Sequence, residues 1–218
     1  NPVRREIIEA RREAAARHFG ADLGKLQLLI IGGSRGAQRL NEAVLAALPE
    51  LLADLPVEIT WVTGRRYFDQ IKAQLAASGI ETEAVGKLRL EGFLHDIHLA
   101  YALADVFIGR AGAMTLAEIT VRGIPSILIP SPNVTHDHQT YNARALAQAG
   151  AALVISEAEL SGEVLARRIK QLAASPATLR LMGQRSRAQG RPQAVQAIVE
   201  LIAELAGTRR PGAPERQE

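Results

Sequence analysis

The sequence predicts an α/β fold, a Rossmann-like doubly wound parallel sheet followed by extra C-terminal helices. Apolar runs alternate with segments of helical period, which is the βα repeat of such a sheet. The runs are almost continuously apolar, as strands are when helices cover both faces of the sheet. With 218 residues, 47% of them hydrophobic, the chain can bury one large core but not the cores of two complete domains.

Five strands and five helices follow from these patterns. The predicted strands are residues 26–31, 58–62, 106–108, 126–129 and 152–155. The predicted helices between them are residues 38–52, 67–77, 97–104, 115–121 and 139–149.

The C-terminal third is predicted to be helical. Residues 161–206 are rich in Ala, Leu and Arg, which indicates two or three packed helices, with Ser161 and Pro176 as start signals and Gly207 as a stop. Residues 207–218 carry Pro and Gly among charges and are predicted to be disordered. The folded domain is therefore predicted to span residues 1–206.

The composition excludes several classes of function. The formal net charge is only +3 and aromatic residues make up 4%, so we expect no nucleic-acid partner. The chain has no cysteine, which excludes disulfides, thiolate metal sites and a cysteine nucleophile. No apolar run approaches the roughly 20 residues that span a bilayer. The first residue is Asn1, and we expect a fragment of a longer protein.

A glycine-rich loop follows the first predicted strand. Residues 32–37 read Gly-Gly-Ser-Arg-Gly-Ala and open a helix, where Gly33 and Gly36 would let backbone N–H groups approach a phosphate and Ser34 would add its hydroxyl. The alternative is a tight turn that needs glycine only for its dihedral angles. The loop lacks the G-x-G-x-x-G spacing, and no acidic residue ends the second strand, which is evidence against NAD.

A second loop of this kind follows the strand at residues 106–108. Arg110 and Gly112 precede a predicted helix whose free N–H groups form a second anion site. The alternative is a capping box, in which Thr115 caps the helix and Glu118 reaches back. Arg110 and the paired glycine loop upstream favour the anion site, because capping requires neither.

The third polar loop comes after the strand at residues 126–129. It contains His136, Asp137, His138, Gln139 and Asn142, short polar side chains that suit sugar hydroxyls. Asp137 is alternatively an N-cap, and the two histidines are alternatively metal ligands, although H-x-H without a carboxylate-rich partner is weak evidence for metal. All three loops meet at the carboxyl edge of a parallel sheet, so a ligand that contacts them all is extended, as a nucleotide diphosphate sugar is.

Four motifs in order carry a resemblance to a known family. They are Asn-Pro-Val-Arg at residues 1–4, the loop at 32–37, residues 110–115 with Glu118, and residues 137–139 followed by Asn142. With these motifs the chain resembles, over nearly its whole length, the C-terminal domain of the MurG family of peptidoglycan N-acetylglucosaminyltransferases. The resemblance implies one half of a GT-B glycosyltransferase, which binds UDP-GlcNAc as the donor substrate. The sequence has no D-x-D metal motif, and we expect neither a cofactor nor a metal.

The resemblance also implies roles for individual residues. Ser34 would contact the diphosphate, Glu118 the ribose hydroxyls and the backbone of Leu94 the uracil. The backbone of Ala113, Met114 and Thr115 would bind phosphate. His138 and Gln139 would contact the sugar, and Arg4 would lie close to the donor.

The reaction implied is transfer of GlcNAc to undecaprenyl-diphospho-muramoyl-pentapeptide, which converts lipid I to lipid II. The acceptor and the general base would be held by an N-terminal domain that the chain lacks, so no catalytic residue is assigned here and the fragment alone is expected to be inactive. The full-length enzyme would lie at the cytoplasmic face of the membrane.

Two other functions remain open at this point. Arg65 and Arg66 follow the second strand, where they would suit the 2′-phosphate of an NADP-dependent oxidoreductase. A non-catalytic sugar-nucleotide-binding module is the second alternative.

Overall fold

The structure, a computed structural model, describes residues 1–33, 36–82, 87–134 and 137–206. Ser34 and His136 lie outside the described residues, as do residues 207–218, for which disorder was predicted.

Six strands form one parallel sheet in the order β3-β2-β1-β4-β5-β6. They are β1 Leu26–Ile31, β2 Val57–Val62, β3 Leu88–Glu91, β4 Val106–Gly109, β5 Ser126–Leu128 and β6 Ala152–Val154. This is the strand order of the Rossmann fold, and it confirms the predicted α/β fold.

Ten helices lie within the described residues, and most of them cover the two faces of the sheet. They are α1 Arg5–Glu9, α2 Arg12–Phe19, α3 Gln38–Asp54, α4 Arg65–Ala77, α5 Ile97–Leu103, α6 Ala113–Arg122, α7 His138–Gln148, α8 Gly162–Ala173, α9 Pro176–Gln189 and α10 Ala194–Leu205.

The pleat of the central strand divides the core into two layers. Leu28 and Ile30 pack with α3, α4 and α8 on one face, whereas Leu29 packs with α1, α2, α5, α6 and α7 on the other. Successive side chains of a strand point to opposite faces, so a strand buried on both sides is apolar at nearly every position. In the first layer Trp61 is fully buried, and its Nε1 donates to Asn41 Oδ1 at 3.2 Å.

The sequence did not predict α1, α2 or β3. The edge strand β3 has four residues and alternates between apolar and charged side chains, too short a pattern to separate from a loop. The helices α1 and α2 precede the first βα unit, and they cover the sheet through Ile7 and Phe19. The other predicted elements are confirmed, with boundaries that differ by no more than a few residues.

The C-terminal helices begin as predicted but do not all pack. Ser161 caps α8 by accepting from the Val164 amide at 3.2 Å, and Pro176 is the first residue of α9. The last helix, α10, has no buried residue, and Leu205 is 80% exposed. Two of these helices, α8 and α9, therefore pack, which is within the prediction of two or three packed helices, and α10 does not. Within the described ranges no helix is both long and apolar enough to cross a membrane.

Candidate functional site

The three loops singled out in the sequence lie together at the carboxyl edge of the sheet. They follow β1, β4 and β5, which are neighbours in the sheet. The helix after β1, α3, packs on one face, whereas the helix after β4, α6, packs on the other. Such a change of face between adjacent strands is a topological switch point, where open α/β sheets bind ligands. The predicted gathering of the three loops is confirmed.

The loop between β1 and α3 takes a tight glycine conformation. Gly33 and Gly36 have φ angles of 91° and 73°, and the Gly36 amide donates to the Gly33 carbonyl at 3.0 Å. The chain then enters α3 through Ala37, which has no side-chain capping hydrogen bond. The role of Ser34 at a diphosphate stays a prediction, because this residue lies outside the described part of the loop.

The N-terminus of α6 opens at the switch point. Gly112 is the N-cap, and the first helical hydrogen bond runs from the Leu116 amide to the Gly112 carbonyl at 2.9 Å. The amides of Ala113, Met114 and Thr115 precede that bond and have no intrahelical acceptor. The capping-box interpretation is wrong, because Thr115 lies in the first turn of the helix and does not cap it.

Glu118 follows on the same helix and is held by a buried tyrosine. The hydroxyl of Tyr101, in α5, donates to Glu118 Oε2 at 3.0 Å, and Tyr101 is only 3% exposed. Burial raises the pKa of Glu118, while the Tyr101 hydrogen bond and the positive charge of Arg4 act in the opposite direction. Arg4 therefore lies near enough to Glu118 for its charge to lower the pKa of that carboxyl. Sequence reasoning missed Tyr101, whose position on the apolar side of α5 indicates only a core residue.

Arg110 is engaged by the protein itself. Its guanidinium pairs with Glu157, and the two side chains are 14% and 17% exposed. It also donates to the carbonyls of Ile129 and Pro130 at 3.2 and 3.3 Å. These contacts join the loops after β4, β5 and β6, so they give Arg110 a structural role. Its contact with a phosphate stays a prediction.

We expect replacement of Glu157 with Gln to lower the free energy of unfolding by about 2 kcal/mol, because it removes the charge that compensates a mostly buried guanidinium. Urea denaturation measures this change. The control is Glu163→Gln, which removes a carboxylate that pairs with Arg167 at 3.7 Å on the exposed surface of α8 and should have little effect. Equal losses in the two variants would contradict the structural role of Arg110.

The third loop leads into α7 through an unusual residue. Asp137 has a left-handed φ of 49° at the N-cap position. Its carboxylate accepts from the Thr140 hydroxyl at 2.6 Å, and no side-chain capping bond to the backbone is formed. Asp137 therefore occupies the predicted cap position without the predicted capping bond.

The first turn of α7 connects this loop to its neighbour. Gln139 Oε1 accepts from the Ser131 amide at 3.0 Å, and Asn142 Nδ2 donates to the Ala111 carbonyl at 3.1 Å. His138, the first residue of α7, is exposed. Sugar contacts by His138 and Gln139 stay predictions. Across the described ranges, no group of three or more His, Asp or Glu is arranged to hold a metal ion.

Leu94 lies between β3 and α5, in the loop that follows the carboxyl end of β3. It is partly buried against the α5 layer, and its neighbour Phe93 is 44% exposed. The Arg65 guanidinium lies 4.8 Å from the centre of the Phe93 ring. Contact between the Leu94 backbone and uracil stays a prediction.

A Rossmann-order sheet with glycine loops and a free helix N-terminus at its switch point defines a nucleotide-binding α/β domain. The model of the glycosyltransferase family 28 C-terminal domain matches residues 27–198. The chain belongs to this family. That assignment decides against the oxidoreductase alternative and confirms the resemblance found in the sequence.

Relatives and a solved structure agree with the family. A protein of Solidesulfovibrio magneticus is 43% identical over 209 residues, which are 94% of this chain and 55% of that protein. A protein of Moorella thermoacetica is 41% identical over 92% of this chain and 54% of its own length. Both are named UDP-N-acetylglucosamine–N-acetylmuramyl-(pentapeptide) pyrophosphoryl-undecaprenol N-acetylglucosamine transferase.

The crystal structure of Acinetobacter baumannii MurG has a TM-score of 0.75 and 31% identity, and the match covers 91% of this chain and 55% of that one. The chain thus spans about half the length of the curated relatives it matches.

Proposed function

We propose that this chain binds UDP-GlcNAc as the donor half of an inverting transferase that adds GlcNAc to undecaprenyl-diphospho-muramoyl-pentapeptide. The observation that carries the proposal is the placement of Glu118 on the same helix as the free α6 N-terminus, at the switch point of a family 28 domain. The names of the relatives support the choice of donor and acceptor.

The spacing along α6 matches the chemistry of a nucleoside diphosphate. A helix rises 1.5 Å per residue, so Glu118 lies about 7.5 Å along the axis from the first helical residue, Ala113. The N-terminal amides and the helix dipole attract phosphate oxygens. A carboxylate beyond them accepts hydrogen bonds from neutral hydroxyl groups. This spacing supports the proposal that the diphosphate binds at the helix N-terminus and the ribose hydroxyls bind at Glu118.

The same groups assist the departure of UDP. Direct displacement at C1 of the sugar leaves negative charge on the departing diphosphate, and donors already oriented toward that charge stabilise the transition state. The α6 amides supply such donors without a metal ion, and Arg4 brings a positive charge to the Glu118 end of the site. The acceptor hydroxyl, its general base and the lipid are assigned to the rest of the enzyme. A lipid-linked acceptor implies that the enzyme works at a membrane surface, and our proposal is that this surface is the cytoplasmic face.

Calorimetric titration of the chain with UDP-GlcNAc, UDP, UDP-GalNAc and NADPH tests the proposal. We expect binding of UDP-GlcNAc and UDP, weaker binding of UDP-GalNAc, and no binding of NADPH. Equal affinity for the two UDP-sugars would assign sugar selection to another part of the enzyme. Absence of binding by both UDP and UDP-GlcNAc would overturn the proposed donor site.

A further inference from the structure

Glu118 is the acidic side chain that the proposed function assigns to the ribose. One of its two carboxylate oxygens is held by a hydrogen bond within the protein. Tyr101 occupies Oε2 through a hydrogen bond of 3.0 Å. In the described part of the chain, Oε1 has no hydrogen-bond partner. A glutamate side chain has three rotatable bonds, and fixing them on ligand binding carries an entropic penalty. An anchor on one oxygen removes part of that penalty before the ligand arrives.

The anchor itself is rigid. Tyr101 is 3% exposed, and its ring packs at 6.3 Å, centre to centre, from that of Phe107. Phe107 lies on β4, next to the central strand β1. The position of the hydroxyl is thus set by the packed layer between the sheet and the helices. Burial and the adjacent carboxylate raise the pKa of Tyr101 well above its ordinary value, so the hydroxyl remains protonated and donates at any pH at which the enzyme works.

We propose that Tyr101 is a positioning residue for nucleotide recognition, which orients the Glu118 carboxylate toward the two ribose hydroxyls. The inference rests on the proposed function and extends it to a residue that does not itself touch the nucleotide. Loss of the Tyr101 hydroxyl should weaken only the hydrogen bonds between Glu118 and the ribose hydroxyls, and should leave the other contacts to the nucleotide unchanged.

The test compares Tyr101→Phe with the unaltered chain, using UDP and 2′,3′-dideoxy-UDP as ligands in calorimetric titrations. Phenylalanine keeps the buried ring, and thermal unfolding verifies that the variant is folded. We expect UDP to bind roughly tenfold more weakly to the variant, because an unanchored glutamate side chain loses more conformational entropy when the ligand fixes it. The affinity for the dideoxy nucleotide should be the same for both proteins, since it offers Glu118 no hydroxyl.

Two further variants separate positioning from a general loss of structure. Tyr141→Phe is the matched control, because this tyrosine is 68% exposed, and it should leave the affinity for UDP unchanged. In a Glu118→Ala background, Tyr101→Phe should have no further effect on UDP binding, because the side chain it orients is gone.

The pH dependence gives a second signature. Arg4 and Tyr101 are the groups whose charge or hydrogen bond lowers the pKa of Glu118 against the effect of burial. Without the Tyr101 hydroxyl the pKa of Glu118 rises further, so the loss of UDP affinity on acidification should begin at a higher pH in Tyr101→Phe.

Each outcome is decisive. An unchanged affinity of Tyr101→Phe for UDP, an equal loss for both nucleotides, or a loss that persists in Glu118→Ala would overturn the positioning role while leaving the proposed function intact. Absence of UDP binding by the unaltered chain would overturn the proposed function and this inference with it.

Discussion

Replacement of Glu118 with Gln is expected to weaken UDP binding roughly a hundredfold, because two ribose hydroxyls lose a charged acceptor and hydrogen bonds to charged groups are stronger than neutral ones. Glutamine keeps the shape of the side chain and still accepts from Tyr101, whose hydroxyl lies 3.0 Å from Oε2. The loss therefore measures the carboxylate charge at the ribose. Titration with UDP gives the affinity, and 2′,3′-dideoxy-UDP should bind the variant and the unaltered chain equally.

The same substitution should stabilise the unliganded chain at neutral pH. Burial raises the pKa of Glu118 above its ordinary value, so this group increasingly opposes folding as the pH rises from the unfolded-state pKa through the folded-state pKa. Below the unfolded-state pKa, about 4.3 for glutamate, the group is neutral in both states and this contribution vanishes. Glu118→Gln should therefore raise the melting temperature at pH 7 and leave it nearly unchanged near pH 4. A lower melting temperature at pH 7 would contradict the effect assigned to burial.

This opposition between binding and stability is typical of a functional group. A half-buried carboxylate with few partners is unfavourable in the free protein and becomes useful when a ligand supplies hydroxyl donors. Glu163→Gln provides the comparison, since that carboxylate is 84% exposed. We expect it to change neither the melting temperature at pH 7 nor the affinity for UDP appreciably.

The sequence predicts those parts of the fold that local patterns determine. The bounds of β1 are predicted correctly, because a run of five apolar residues and one glutamine between a lysine and a pair of glycines forms a complete strand signal. The positions of the three loops follow from the parallel sheet, because every strand ends at the same edge. Helix α10 shows the limit of such patterns. Its Ala- and Leu-rich composition predicts a helix, but burial depends on a packing partner, and none of its residues is buried.

The sequence predicts those parts of the site whose residues all lie within one short segment of the chain. Glycines and a helix start within residues 109–118 indicate an anion site, and the structure gives that helix its free N-terminus. The contacts that define Arg110 and Glu118 join residues far apart in the chain. Glu157 and Tyr101 are ordinary acidic and aromatic residues in their own segments, and only the fold brings them to their partners.

Thr115 illustrates a competition between two local signals. The sequence Thr-x-x-Glu satisfies the capping-box pattern, yet Gly112 precedes it and is also a permitted N-cap. The structure places the helix start at Ala113. Because the helix starts at Ala113, Glu118 lies beyond the first turn and does not cap the helix. Its carboxylate instead accepts the hydrogen bond from Tyr101.

Gly36→Ala is expected to lower the free energy of unfolding by about 3 kcal/mol, the sum of two effects. An alanine at a φ of 73° is strained by roughly 1 kcal/mol. Its Cβ would also lie 2.4 Å from the Thr63 carbonyl oxygen and 2.7 Å from the Tyr67 ring, and relief of such overlap costs about 2 kcal/mol. Thr63 O accepts from Asn41 Nδ2 at 3.0 Å, and Asn41 in turn holds the buried Trp61. Displacement of Thr63 therefore disturbs the core.

Two other glycines separate strain from overlap. Gly79 has a φ of 70° and Gly33 a φ of 91°, and an added Cβ at either position meets no atom within 4 Å. Urea denaturation should give Gly79→Ala and Gly33→Ala losses of about 1 kcal/mol, due to backbone strain alone. Gly33 shares the proposed phosphate loop with Gly36, whereas Gly79 follows α4. UDP affinity should therefore fall in the two loop variants and stay constant in Gly79→Ala. Equal losses of stability in all three variants would show that backbone strain alone requires glycine at position 36, and that its close approach to Thr63 does not matter.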